Sequence, residues 1–210
     1  MRGALFVLAL LTLGAGCGGD DEPSAAGGEC EDVEAPAPRE PGTREAPSSP
    51  LDAGTSYGLV FETSCGRFTV GLDTALSPNT AASLVALARD GYYDDTFFHR
   101  IVPGFVIQGG DPTQTGSGGP GYKTVDAPPA GSRYVKGVVA MAKTEVEAAG
   151  TSGSQFFVVT GDDAGLPADY AIVGEVTEGI DTVERIDVLG GADQRPTQPV
   201  VIASVSVTES

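Results

Sequence analysis

From Tyr57 onward, short runs of β-branched and aromatic residues alternate with clusters of Gly, Pro, Asn, Asp and Ser, a rhythm that predicts strands more than helices. Tyr57 to Thr63 and Arg67 to Leu72 form two such runs across Ser64-Cys65-Gly66, which predicts a hairpin. Thr96 to Asp111 reads as two short strands around Pro103-Gly104, and Val138 to Ala142, Gly153 to Val159, Tyr170 to Val176 and Val200 to Val207 supply more. Two windows change period. Ser77-Pro78 reads as a cap with Pro at the first helical position, followed by Ala81, Leu84, Val85 and Ala88 at i, i+3, i+4, i+7 before Gly91. In Glu178 to Ile186, Ile180, Val183 and Ile186 share a helical stripe. About eight strands, two helices and no β-α-β rhythm predict a mainly β fold, a closed eight-stranded antiparallel β-barrel capped by two helices.

Strand alternation puts Phe98 with Arg100, Val106 with Gln108, and Gln155 with Phe157, while Phe156 and Val158 face the other way. An Arg and two Gln kept among aromatics point to a cleft, because a half-buried strand ordinarily sorts polar from apolar. An ordinary edge-strand role for Arg100 is the alternative.

The first 54 residues follow different rules. Met1-Arg2 is positive and Gly3 to Leu13 is apolar but too short to span a bilayer, and Gly14-Ala15-Gly16-Cys17 follows. This predicts a signal peptide over 1–16 and resembles a bacterial lipobox, with Cys17 the lipidated residue. Gly14 departs from the Leu usual three places before the Cys, which leaves plain secretion as the alternative. Residues 17–54, rich in Gly, Ala, Pro and Glu, lack the apolar surface to offset ordering entropy and are expected to be a disordered tether ahead of a domain over 55–210. An exported chain meets an oxidising environment. With Cys17 set aside, Cys30 and Cys65 are an even pair, so a disulfide pinning the tether beside the first hairpin stands against two free thiols.

Charge and inventory narrow the chemistry. Twelve Lys and Arg against 29 Asp and Glu give a net charge of -17, which repels phosphate backbones and argues against nucleic acid as a partner. His99 is the only His, so neither a Ser-His-Asp triad nor a multi-His metal site can be assembled, and no metal or other cofactor is expected. Asp111 and Asp94-Asp95 lack EF-hand spacing. Gly116, Gly118 and Gly121 satisfy dinucleotide-fingerprint spacing, but Pro120 and Tyr122-Lys123 do not open a helix, so a long loop bordering the cleft is the better reading.

The run Phe98-His99-Arg100-Ile101-Val102-Pro103-Gly104-Phe105, then Gln108-Gly109-Gly110-Asp111, then Gly153-Ser154-Gln155-Phe156-Phe157 resembles the cyclophilins, the peptidyl-prolyl cis-trans isomerases. The resemblance runs from about Tyr57 to about Val207 and implies the same barrel. It implies that Arg100 is the catalytic donor, with Gln108 bracing it and touching substrate backbone, and Phe105 beside them. Phe105, Val106, Phe157 and Leu166 match the pocket for the proline ring, Val106 replacing the more usual Met. Ala142 and Lys143 match positions whose backbone pairs with an extended peptide; Gln155 matches a polar groove contact; Phe98, His99 and Tyr170 complete the substrate-binding set. Partners so implied are proline-containing unfolded or exported polypeptides, met by a monomer attached to the outer face of a bacterial membrane through Cys17.

Departures from the family pattern carry expectations of their own. Tyr170 stands where many eukaryotic members have His, Val173 where Phe is frequent, and Gly165 where cyclosporin-sensitive members carry Trp, so weak cyclosporin inhibition is expected. Two other readings compete: a proline-directed binding or holdase module that needs the Phe pocket but not Arg100, and an export-linked solute-binding lipoprotein, for which the domain is small.

Overall fold

The computed structural model describes residues 29–210. The expected signal segment, Cys17 and the tether up to residue 28 lie outside the described residues.

The first hairpin forms as its pattern predicts. β1 (Tyr57–Thr63) pairs with β2 (Gly66–Leu72), setting Phe61 opposite Phe68 with stacked rings 4.7 Å apart. After helix α1 (Pro78–Arg89) come the short strands β3 (Thr96–Phe97), β4 (Arg100–Val102) and β5 (Val106–Gly109). Next are β6 (Thr124–Val125), β7 (Val138–Met141), β8 (Thr151–Ser152) and β9 (Phe156–Val159). β10 (Ile172–Glu178), helix α2 (Ile180–Asp187) and β11 (Val201–Glu209) complete the chain.

Nine of these strands make one curled antiparallel sheet in the order β3-β11-β1-β2-β10-β7-β9-β5-β4, with β6 and β8 paired separately. The expectation of a closed eight-stranded barrel is corrected on both points. β3 pairs with β11 and β4 with β5, so the two ends of the sheet are joined through Phe98-His99 rather than by a ladder. That interruption also changes Phe98. It does not share a face with Arg100, because residues 98 and 99 are not strand; its ring is fully buried and meets Phe156 edge-on at 6.1 Å. Phe98 is thus a core residue rather than part of a substrate surface.

The uninterrupted apolar run of β9 is explained by burial on both faces. Phe156 and Val158 enter the main core with Phe61, Phe68, Ile107 and Met141, while Phe157 and Val159 join a smaller outer cluster with Val106, Tyr134 and Ala140. Helix α1 turns Leu84, Leu87 and Ala88 into the main core and buries Val85 as well. Its expected cap is replaced: the Ser77 hydroxyl donates to the Ile172 carbonyl, and the Asp126 carboxylate instead accepts from Thr80 N–H at 2.7 Å and Thr80 Oγ1 at 2.6 Å.

Residues 29–54 contain no helix or strand, yet they are not a free tether. The sulfurs of Cys30 and Cys65 are bonded, Glu31 N–H donates to the Ser64 carbonyl, and Arg39 and Arg44 reach across to the end of α1. Low hydrophobicity misleads here, because backbone and arginine hydrogen bonds do what apolar burial does elsewhere.

Candidate active site

The register of four strands builds the site. Arg100 on β4 lies opposite Gln108 on β5, and Gln108 lies opposite Phe157 on β9, which in turn faces Ala140 on β7. The side chains on this outer face open into a cavity of about 310 Å³, lined by Arg100, Phe105, Val106, Phe157, Leu166 and Tyr170 among others. Its floor is rigid. The buried Tyr134 packs edge-on against Tyr170 at 6.0 Å, its hydroxyl donates to the Tyr170 carbonyl at 2.7 Å and accepts from Tyr170 N–H at 3.0 Å, and Phe157 meets Tyr170 at 5.6 Å. An apolar notch with fixed aromatic walls suits a small saturated ring.

Arg100 stands at the rim. Its guanidinium carbon is 6.0 Å from the Phe105 ring centre, and its Nε donates to the Gln194 side-chain oxygen at 2.9 Å. Among the described residues it makes no ion pair and its only side-chain hydrogen bond is through Nε, so both terminal amino groups remain available as donors. The brace expected from Gln108 is therefore corrected: Gln194 supplies it. Gln108 Nε2 donates instead to Gln155 Oε1 at 3.1 Å, and Gln155 Nε2 donates to the Gly118 carbonyl at 3.0 Å. This relay leaves the Gln108 side-chain oxygen as an acceptor facing the groove.

Beyond Gln108 the groove continues into a smaller recess of about 120 Å³, lined by Gly118, Lys123, Ala142, Lys143, Glu147 and Gln155 among others. Ala142 N–H is committed to the Gln155 carbonyl at 2.9 Å, so of that residue only the carbonyl can pair with a peptide. The Lys143 side chain is only 2% exposed, its ammonium 2.5 Å from Asp169 and 5.4 Å from the Tyr170 ring centre. It is a wall between notch and recess, not only a stretch of backbone. The Glu147 carboxyl is pulled down to about 2 by the Lys123 ammonium 2.8 Å away and by Thr144 N–H.

His99 lies away from the notch. It lines a third hollow of about 590 Å³ on the other side of Arg100, with Gln114, Gly116 and Gln194. Neither ring nitrogen has a hydrogen-bond partner among the described residues, and burial pushes its pKa down, with nearby Asp111 opposing and Arg100 adding to the effect. Asp111 itself is wrapped by the glycine-rich loop. Burial pushes its carboxyl up, but donors from Thr113 Oγ1 and from the backbone of Gly118, Thr113 and Gly116 outweigh that and hold it below the ordinary value.

The structure thus brings together Arg100, Phe105, Val106, Gln108, Ala142, Lys143, Phe157, Leu166 and Tyr170, with Gln155 one step along, and leaves out Phe98 and His99. Sequence reasoning missed Gln194, Tyr134 and Asp169. Gln194 sits in a turn without periodicity, and only Tyr134, a lone aromatic in a polar stretch, offered a visible cue.

Comparison with known proteins shows the family. Residues 59–207 match the family described as cyclophilin type peptidyl-prolyl cis-trans isomerase/CLD. The chain is 38% identical over 156 residues to peptidyl-prolyl cis-trans isomerase-like 1 of Gibberella zeae, an alignment covering 72% of this chain and 94% of that protein. It is 37% identical over 168 residues to the probable peptidyl-prolyl cis-trans isomerase A of Mycobacterium leprae, covering 70% and 90%. A crystal structure of a Cryptosporidium parvum cyclophilin type peptidyl-prolyl cis-trans isomerase, determined in the presence of the dipeptide Ala-Pro, superposes with a TM-score of 0.66 at 29% identity, covering 73% of this chain and 99% of that one.

Proposed function

The chain belongs to the cyclophilin-type peptidyl-prolyl cis-trans isomerases and is an isomerase, and from that premise we propose that Arg100 lowers the rotation barrier by stabilising a twisted X-Pro amide. The barrier of about 18 to 20 kcal/mol is amide resonance, and the two planar isomers are nearly balanced, so catalysis has only to favour the top. Rotation uncouples the proline nitrogen lone pair, which then accepts a hydrogen bond that neither planar form accepts as well. A fixed cationic donor aimed at that nitrogen binds the transition state differentially.

The observation that carries this reading is the Arg100 guanidinium held by Gln194 beside the Phe105 ring, at the mouth of the apolar notch. In it, Phe105, Val106, Phe157 and Leu166 take the proline ring. The Gln108 oxygen and the Ala142 carbonyl take N–H groups of the peptide on either side, and Gln155 and Lys143 border the next residue. Arg suits the donor role because its charge persists at every relevant pH and its planar fork can be gripped at Nε while presenting the other donors.

We further propose that the enzyme works outside the cytoplasm on exported, proline-containing polypeptides, attached through a lipid on Cys17. The apolar run ending in Gly14-Ala15-Gly16-Cys17 supports this. Exchange NMR on a short Ala-Pro peptide tests the activity in the protein's presence. Accelerated cis-trans exchange is expected, whereas peptide binding without acceleration would leave only a non-catalytic proline-binding module.

A further inference from the structure

Residues 29–54 precede the span that the family model matches, yet part of this segment is built into the groove wall. Between Pro36 and Arg44 the backbone runs along the glycine-rich loop. Arg39 N–H donates to the Pro112 carbonyl at 2.9 Å, Gly42 N–H to Gly119 at 2.9 Å and Arg44 N–H to Pro120 at 2.8 Å, while Gln114 Nε2 returns a bond to the Pro36 carbonyl at 2.6 Å. The fit admits no side chain. A Cβ on Gly42 would lie 2.8 Å from the Pro120 Cα and oxygen, and one on Gly121 would lie 2.6 Å from the Gly42 oxygen. Two arginines fasten the strip to the end of α1: Arg39 donates to the Tyr92 carbonyl at 2.6 Å, and Arg44 pairs with Asp90 at 2.6 Å with its guanidinium 4.7 Å over the Tyr92 ring. The Cys30–Cys65 bond fixes its upstream end to the first hairpin.

The loop so gripped is the one whose Gly118 carbonyl holds Gln155, and Gln155 holds Gln108. Gly116 and Gly118 also line the recesses flanking Arg100 and Gln108. We propose that residues 36–44 are a positioning clamp, supplied in cis, that fixes the Pro112–Pro120 loop and through Gln155 and Gln108 sets the affinity of the groove for an extended peptide. That consequence rests on the groove being the peptide site; the clamp itself does not. Loop carbonyls that would otherwise be solvated are taken up by an ordered segment, so the ordering entropy of the loop is met before substrate arrives.

Two full-length variants test this, Gly42→Val, which cannot keep the backbone contact, and the double variant Arg39→Ala with Arg44→Ala, which removes the fastenings without strain. Amide exchange and titration with a proline peptide are measured on each beside the wild type. The clamp predicts protected Arg39, Gly42 and Arg44 amides in the wild type. In both variants that protection is lost, exchange through 113–118 rises, and the peptide dissociation constant rises by roughly threefold to tenfold, the scale of such coupling. Turnover at saturating peptide stays near the wild-type value. Strap amides that exchange freely in the wild type, or variants that lose protection with unchanged peptide affinity, overturn it. Absence of turnover in the wild type would count against the isomerase mechanism instead, since exchange and affinity read the clamp without it.

Discussion

Arg100 is held by Gln194 across 94 positions of chain, and the same turn grips β4 twice: the Arg100 side chain donates to the Gln194 side-chain oxygen, and the Gln194 carbonyl accepts from Ile101, the residue after Arg100. Gln194 holds φ at +65°, a left-handed conformation that costs a non-glycine residue about 1 kcal/mol or more. The strained turn thereby faces both its carbonyl and its side chain toward β4.

Gln194→Ala should lower kcat by about tenfold, the effect of roughly 1.4 kcal/mol on a barrier, with little change in peptide affinity. Gln194→Gly separates the two roles. It relieves the backbone strain, so its Tm should match or exceed that of Gln194→Ala while activity stays low. Full activity in the glycine variant would show that the side chain does not hold Arg100 in place.

Much of this was legible beforehand, and the part that was not has physical causes. Period-2 alternation on β5 and β9 placed Val106, Gln108 and Phe157 correctly, because both strands are paired on each side and cannot slip register. The same rule failed at Phe98, where the strand breaks for two residues and the alternation resets. It was silent on Gln194, because a turn has no period. Composition misjudged residues 29–54, since a strip held by backbone donors and arginines leaves no hydrophobic signature.

Acid should weaken the fold through His99. Its pKa is lowered by burial, so the unfolded chain takes up the proton first: stability is whole above about pH 6.5 and falls as the pH drops below that value toward the lowered one. Replacement by Gln should flatten this slope, read as the urea midpoint between neutral and mildly acidic pH. An unchanged slope would place the titration elsewhere.

Removing the Asp126 carboxylate as Asp126→Ala leaves Thr80 N–H and Oγ1 and the Asn79 amide without their acceptor at the start of α1. A loss of about 1 to 2 kcal/mol is expected, measured by denaturant titration, with turnover per folded molecule unchanged. Ser77, which bonds elsewhere, should not substitute for it.

Cyclosporin should bind weakly. Gly165 immediately precedes Leu166, which lines the notch, and has φ at +62° with open space around the position a Cβ would take, so neither an indole ring nor its N–H is there to meet the drug. Calorimetric titration should give a constant far weaker than nanomolar; a nanomolar value would contradict this.

The central claim is that a cation pinned at the rim of an apolar notch steadies the half-turned amide. Exchange NMR on one X-Pro peptide, comparing wild type with Arg100→Ala, tests it most directly. The account predicts that catalysed exchange falls by roughly a hundredfold or more while the peptide still occupies the notch. Unchanged exchange in the alanine variant would contradict it.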